Sequence, residues 1–177
     1  RINVGGDAYT DAAGNSWSPD DTGLITGETS FDGSDVFDVE GTPDDELFAT
    51  RRWGTDFTYE IDVPASGTYD VNLYFAEPYW GRPSGVPDGG AGDRLFDVTL
   101  EGTLVLDNYD LYADGGDWGV AITKTYTDVS VNDGALTIEF DVVPNMDNAI
   151  ISGIEILSPD AAGGTEPVAA SLCPDWR

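Results

Sequence analysis

A chain of 177 residues is long enough for one domain with a full hydrophobic core and short for two, and its charge decides much else: 34 Asp and Glu against 7 Lys and Arg give a net −27, with Lys124 the only lysine. Neutralising phosphates needs a basic patch and an anionic bilayer repels an acidic surface, so a nucleic-acid partner is excluded, and membrane insertion with it, since no apolar stretch is long enough to span. The chain has no histidine and one cysteine, Cys173, which excludes Ser-His-Asp and Cys-His nucleophile systems, histidine metal sites and intrachain disulfides.

The acids are interspersed with hydrophobic positions instead of gathered in one run, the pattern of a uniformly acidic folded surface. Such a surface repels itself in dilute buffer. In molar salt the Debye length falls to about 3 Å and the repulsion is screened, so many acids with almost no lysine read as adaptation to salt, a halophilic protein. The opening at Arg1, without Met or signal peptide, is that expected of a segment processed or excised from a longer chain.

In chain order, a long loop is predicted over 11–31. Phe57, Tyr59, Ile61 and Val63 then alternate with Thr58, Glu60 and Asp62, the period-two pattern of a strand with one buried face. After the turn Ala65-Ser66-Gly67 the pattern returns in Tyr69, Val71, Leu73 and Phe75. A second long loop is predicted over 78–93, followed by a strand carrying Phe96, Val98 and Leu100, the turn Glu101-Gly102-Thr103 and a third long loop over 107–119. The turn Asn132-Asp133-Gly134 leads into Leu136, Ile138, Phe140 and Val142; the more continuous run from Ile150 to Leu157 is that of one strand covered on both faces. No run has helical spacing. The fold class is therefore all-β, an antiparallel β-sandwich over 1–157, and the three long loops are the places for function. Periodicity stops there, and 158–177 is an Ala/Gly/Pro-rich tail or linker, suited to contact with a neighbouring domain or subunit.

Asp107, Asp110, Asp114 and Asp117 offer hard oxygen donors for a structural calcium ion. Their spacing is not that of an EF-hand, and a solvated acidic loop is the simpler reading, so no cofactor is expected.

The stretch Phe75-Ala76-Glu77-Pro78-Tyr79-Trp80, with Asn3-Val4-Gly5-Gly6 and Leu47-Phe48-Ala49-Thr50-Arg51-Arg52-Trp53-Gly54 before it and Arg94-Leu95-Phe96-Asp97-Val98 after, resembles the malectin family of carbohydrate-binding domains. The likeness runs on through 105–110, 133–140 and Asp147-Asn148 to the last apolar run, in order and in spacing. It implies a jelly-roll-like β-sandwich with a glycan site in the loops at one end, lined by aromatic residues and an aspartate. Carried over position by position, Trp53, Tyr79, Trp80 and Asp147 are the site residues. Trp17 and Phe31 are the candidates for a further aromatic that the family places in the first long loop. Gly5 and Gly6 read as a tight turn beneath the site, and Arg51 and Arg52 as partners of carboxylates at the core edge.

These residue types suit a sugar independently of the resemblance. The C–H face of a pyranose packs on an aromatic ring, and its hydroxyls favour a fixed charged acceptor at the edge. The expected function is a non-catalytic carbohydrate-binding module of a secreted or cell-surface protein, extracellular, with a glycan or polysaccharide as partner. The alternative keeps the fold without the sugar, as a structural or adhesive module of a surface filament, cell envelope or virion. No pair of carboxylates is singled out for glycosidase chemistry, so no enzyme is expected.

Overall fold

The structure, a computed structural model, describes residues 1–33, 38–83 and 89–158. The elements are β1 (Ile2–Asn3), β2 (Tyr9–Thr10), β3 (Ser16–Pro19), a 3-10 turn (Thr22–Leu24), β4 (Ile25–Gly33), α1 (Asp45–Ala49), β5 (Thr50–Asp62), β6 (Gly67–Phe75), β7 (Leu95–Leu100), β8 (Thr103–Asp110), α2 (Leu111–Gly115), β9 (Ile122–Val131), β10 (Ala135–Val142), β11 (Ala149–Ile151) and β12 (Gly153–Leu157). They form two sheets. One runs β2-β3-β1-β12-β6-β9; the other runs β11-β5-β10-β7-β8, with β4 added on β5. Among the described strands the pairings are antiparallel except β1 with β3, and an isolated parallel bridge joins Glu40 and Val120.

The sheets are sandwiched by the faces that the alternation marks. Phe57, Tyr59 and Ile61 of β5, Val98 and Leu100 of β7, and Leu136, Ile138 and Phe140 of β10 meet Tyr69, Val71, Leu73 and Phe75 of β6 in one buried cluster. Phe57 stacks on Phe140 with ring centroids 4.6 Å apart, and Phe75, Phe96 and Tyr109 contact one another. Burying a large apolar side chain contributes about 1.5–3 kcal/mol. A smaller cluster around Trp17, with Val39, Leu47, Phe48 and Ala76, closes the start of the chain over the sandwich.

Several expectations are corrected. The run from Ile150 to Leu157 is two strands: β11 pairs with β5 in one sheet and β12 with β6 in the other. The chain crosses at Ser152, whose N–H donates to Tyr74 O and whose carbonyl accepts from Val4 N, so continuous burial here marks a sheet-to-sheet crossing. The span 11–31 holds β3 and most of β4, and 107–119 holds the end of β8 and the helix α2. The strand β9 escapes the alternation rule because its inward positions include Lys124, which pairs with Asp114 at 2.8 Å and lies over the Tyr109 ring. Two helices of five residues also occur where no helical period is visible, both shorter than periodicity can register.

The four aspartates considered for calcium have separate tasks. Asp110 caps α2 through Ala113 N and accepts from Gly92 N, Asp114 takes Lys124 and Tyr109, Asp117 accepts from Trp118 N, and Asp107 accepts from Asn108 Nδ2. Among the described residues no three His, Cys, Asp or Glu are grouped to hold a metal ion, and no helix is long and apolar enough to cross a membrane. Residues 159–177, with Cys173, lie outside the described residues.

Candidate functional site

A bulge in β5 aims the first aromatic. Against β4, the pairings Phe57↔Gly27 and Gly54↔Thr29 leave Thr55 and Asp56 opposite one residue. Two residues against one reverse the facing of everything before them. Odd-numbered Phe57, Tyr59 and Ile61 point into the core, whereas odd-numbered Trp53 points outward and is 37% exposed. Gly27 permits the bulge: its φ is +96°, and a Cβ there would come within 2.3 Å of Asp56 O. Arg51, two residues from Trp53, opens on the same cleft.

The second group comes from the segment after β6 and is organised by a buried ion pair. Glu77 is 1% exposed and Arg94, just before β7, is 4% exposed; Arg94 Nε donates to Glu77 Oε2 at 2.7 Å. Glu77 Oε1 accepts from the backbone N–H groups of Tyr79 (2.9 Å) and Trp80 (3.1 Å), which fixes the turn presenting both rings. The two rings meet edge to face at 5.0 Å, and Tyr79 is 40% exposed. Arg94 also donates to Asn148 O and pairs with Asp147 Oδ2 at 2.9 Å.

Asp147 is thereby bound to the second group. Its Oδ2 accepts from Trp80 Nε1 at 2.9 Å as well as from Arg94, and its Oδ1 accepts from Asn148 N at 2.7 Å. The carboxylate keeps acceptor capacity mainly at Oδ1, and its side chain is 28% exposed. It orients the Trp80 ring, and its remaining acceptor capacity suits a further hydroxyl.

All four sequence-predicted residues, Trp53, Tyr79, Trp80 and Asp147, line a single cleft of about 410 Å³, together with Pro78, Asn148, Ile150, Arg51, Arg82 and Arg94. Trp17 is not there: it is 4% exposed, in the satellite cluster, with Nε1 donating to Asp11 Oδ2. The side chain of Phe31 lies outside the described residues. Gly5 and Gly6 form the expected turn, with Gly6 N donating to Asn3 O and Gly5 at φ +72°; a Cβ on Gly5 would meet Arg51 O at 2.7 Å, so the turn packs under the strand that carries Arg51. Arg52 pairs as expected with a buried carboxylate, Asp20, which also accepts from Gly5 N and Tyr59 OH. Arg51 is buried and also lines the cleft. Glu77 and Arg94 were not singled out; the signal available was a carboxylate directly after a buried strand in a chain whose few cations each need a partner.

This is a β-sandwich domain with an aromatic-lined cleft at the loop ends of its strands. Residues 1–154 match the family model of the malectin domain, and the chain belongs to that family. It is similar to malectin of Mus musculus, 30% identical over 113 residues (63% of this chain, 36% of that protein), and to malectin of Homo sapiens, 28% identical over the same shares. The chain thus spans about a third of the length of these relatives. Among solved structures it is similar to the plant receptor-like kinase FER (TM-score 0.71, 21% identity, 90% of this chain and 50% of that one) and to the ANXUR2 extracellular domain of Arabidopsis thaliana (TM-score 0.69, 19% identity, 88% and 47%). It is also similar to beta-glucuronidase 2 of Bacteroides uniformis (TM-score 0.67, 21% identity, 88% and 17%). At these identities the solved structures show a shared fold.

Proposed function

We propose that this domain is a non-catalytic carbohydrate-binding module of a secreted or cell-surface protein, and that Trp53, Tyr79, Trp80 and Asp147 hold the glycan. One observation carries the reading: three aromatic side chains from two distant segments, two of them substantially exposed, converge on one cleft beside an oriented carboxylate. Exposed aromatic rings are costly to leave in water unless a ligand covers them, and a pyranose face matches their shape and chemistry. Membership of a family whose named relatives are malectins supports the reading. No cofactor is part of it.

The test is titration of a panel of neutral and acidic oligosaccharides into the whole chain at molar salt. Saturable binding that is lost in Trp53→Ala and Tyr79→Ala, with unchanged circular dichroism, is the expected result. Release of reducing sugar by pure protein would refute the non-catalytic part. Failure of the whole panel to bind would leave the structural or adhesive reading.

A further inference from the structure

The segment 107–119, one of the three spans expected to carry function, contributes no side chain to the cleft among the described residues. It holds the residues that do. Trp118 Nε1 donates to Pro78 O at 3.0 Å and Gly119 N donates to Glu77 O at 2.9 Å, so the turn that presents Tyr79 and Trp80 is fastened by this segment as well as by the Glu77 carboxylate. Asp110, the cap of α2, accepts from Gly92 N at 2.7 Å at the other end of the connection between β6 and β7.

Tyr112, in α2, joins the two stems of that connection. Gly81 follows Trp80 directly, at φ +77°, and a Cβ there would come within 2.3 Å of Tyr112 Cε2; a Cβ on Gly90 would lie 3.1 Å from Tyr112 Cε1. The absence of a side chain at both positions lets both stems close on one ring. From each stem a chain of contacts runs to the site. The first stem is continuous with Trp80. The second reaches Asp147, because Gly90 N donates to Asp93 Oδ2 at 2.7 Å and Asp147 N donates to Asp93 O at 3.0 Å. Gly89, on the same stem, lies against the Trp80 ring, where a Cβ would come within 2.2 Å of Cε3. The bond from Trp80 Nε1 to Asp147 Oδ2 closes the circuit. The Tyr112 hydroxyl has only a long contact to Asp117 Oδ1, at 3.5 Å, so the ring is the part the stems use.

We propose that Tyr112 is a positioning residue of the glycan site: its ring sets the spacing of the two stems and thereby seats the Trp80 ring and the Asp147 carboxylate before a sugar arrives. A side chain with two torsions, held between glycines, is a stiff spacer, and a wall already in its bound arrangement costs less to order on binding. The proposal rests on the glycan-binding reading above and names a residue that acts on the site without touching the sugar.

The first measurement needs no sugar. In isotope-labelled whole chain, NMR follows the indole N–H of Trp80, bonded to Asp147, with the indole N–H of Trp17, bonded to Asp11, as control. Tyr112→Ala should shift the Trp80 signal and speed its exchange with solvent while Trp17 stays as in the parent, and Tyr112→Phe should restore the parent spectrum. If Tyr112→Ala does not fold, Tyr112→Leu, which keeps apolar bulk without the flat ring, is read with the same expectation. The second measurement titrates disaccharides of glucose, galactose, mannose and glucuronic acid. For the tightest binder, Tyr112→Ala should lose about fivefold in affinity, on the order of removing the Trp80 ring itself, and Tyr112→Phe should recover it. Placed on Trp80→Ala, the same substitution should cost little more, since its effect runs through that ring. An unmoved Trp80 signal, a loss that Phe does not recover, or a loss that adds in full to that of Trp80→Ala would overturn the inference and leave the glycan reading standing. A Trp17 signal that moves with Trp80 in both the Ala and the Leu variant would mark a general loss of fold and overturn it too. Absence of binding to every sugar would overturn the glycan reading, while the Trp80 signal still decides whether Tyr112 sets the ring.

Discussion

Trp80 combines two functions that substitution can separate. Its ring faces the cleft, and its Nε1 holds Asp147 Oδ2. Trp80→Ala removes both, and is expected to weaken glycan binding by about 1 kcal/mol or more; Trp80→Phe keeps a ring and should lose less, as measured by titration calorimetry. Asp147→Asn should weaken binding with the fold retained, because it removes the charge opposite Arg94 while leaving a side chain of the same shape. Glu77 is different in kind. It touches no ligand position, yet it balances buried Arg94 and holds the N–H groups of Tyr79 and Trp80. Glu77→Ala removes the buried partner of Arg94 and leaves that cation only the part-exposed Asp147, so chemical denaturation should show a loss of about 3 kcal/mol, the low end for breaking a buried ion pair.

Two elements depend on local features that bring distant parts of the chain into register. The bulge of β5 turns Trp53 out of the core, and Gly27 is the residue that lets β4 follow it. Gly27→Ala would force a Cβ against Asp56 O in a backbone conformation that L residues rarely adopt, and the expected outcome is a lowered melting temperature with weakened glycan binding, because Trp53 shifts with the strand. On the other sheet, Glu155 of β12 is buried and accepts from Arg1 Nε (2.6 Å), Asn72 Nδ2 (2.7 Å) and Tyr74 OH (2.9 Å). Burial alone raises its carboxyl, but the hydrogen bonds from Asn72, Tyr74 and Arg1, with the Arg1 charge, outweigh it and hold it below the ordinary value. A depressed carboxyl contributes stability that is present above its unfolded pKa and lost as pH falls through the folded one. Glu155→Gln should therefore cost about 1–3 kcal/mol at neutral pH, and urea melts at falling pH should show the gap to the parent closing below the ordinary glutamate range.

The fold as a whole carries its charge on the outside of a sheet whose inside is its core. Asp141 stands directly opposite Asp56 on one neighbouring strand and Asp97 on the other. Partial burial first, then these two carboxylates, raises the Asp141 carboxyl above its ordinary value. The sign is opposite to that of Glu155: the ionised form destabilises the fold above the folded pKa, and the penalty is relieved as pH falls through it. Asp141→Asn should raise the melting temperature in dilute buffer at neutral pH, with the gain shrinking in molar salt and in acid. The parent protein should itself melt higher as KCl rises to molar levels, since a net −27 on the chain repels at long range and screening removes that repulsion. A melting temperature that is flat or falling across the salt series would remove the case for salt adaptation.

Composition and period-two alternation sufficed for the all-β sandwich and for the inward faces of β5, β6, β7 and β10, because both are local: a strand with one buried face must repeat every two residues whatever its partners. Family resemblance then named Trp53, Tyr79, Trp80 and Asp147 as one site. The crossing at Ser152 was hidden because a strand covered on both faces and a segment passing between two sheets present the same apolar run. β9 was hidden because Lys124 finds its partner, Asp114, only across the fold. The role of Asp147 had the same origin: a carboxylate looks free in a sequence, and packing brings Trp80 Nε1 and Arg94 to its Oδ2. The gathering of Arg51, Arg82 and Arg94 at one cleft is likewise a property of closure, since residues on β5, after β6 and before β7 meet only when the sandwich forms.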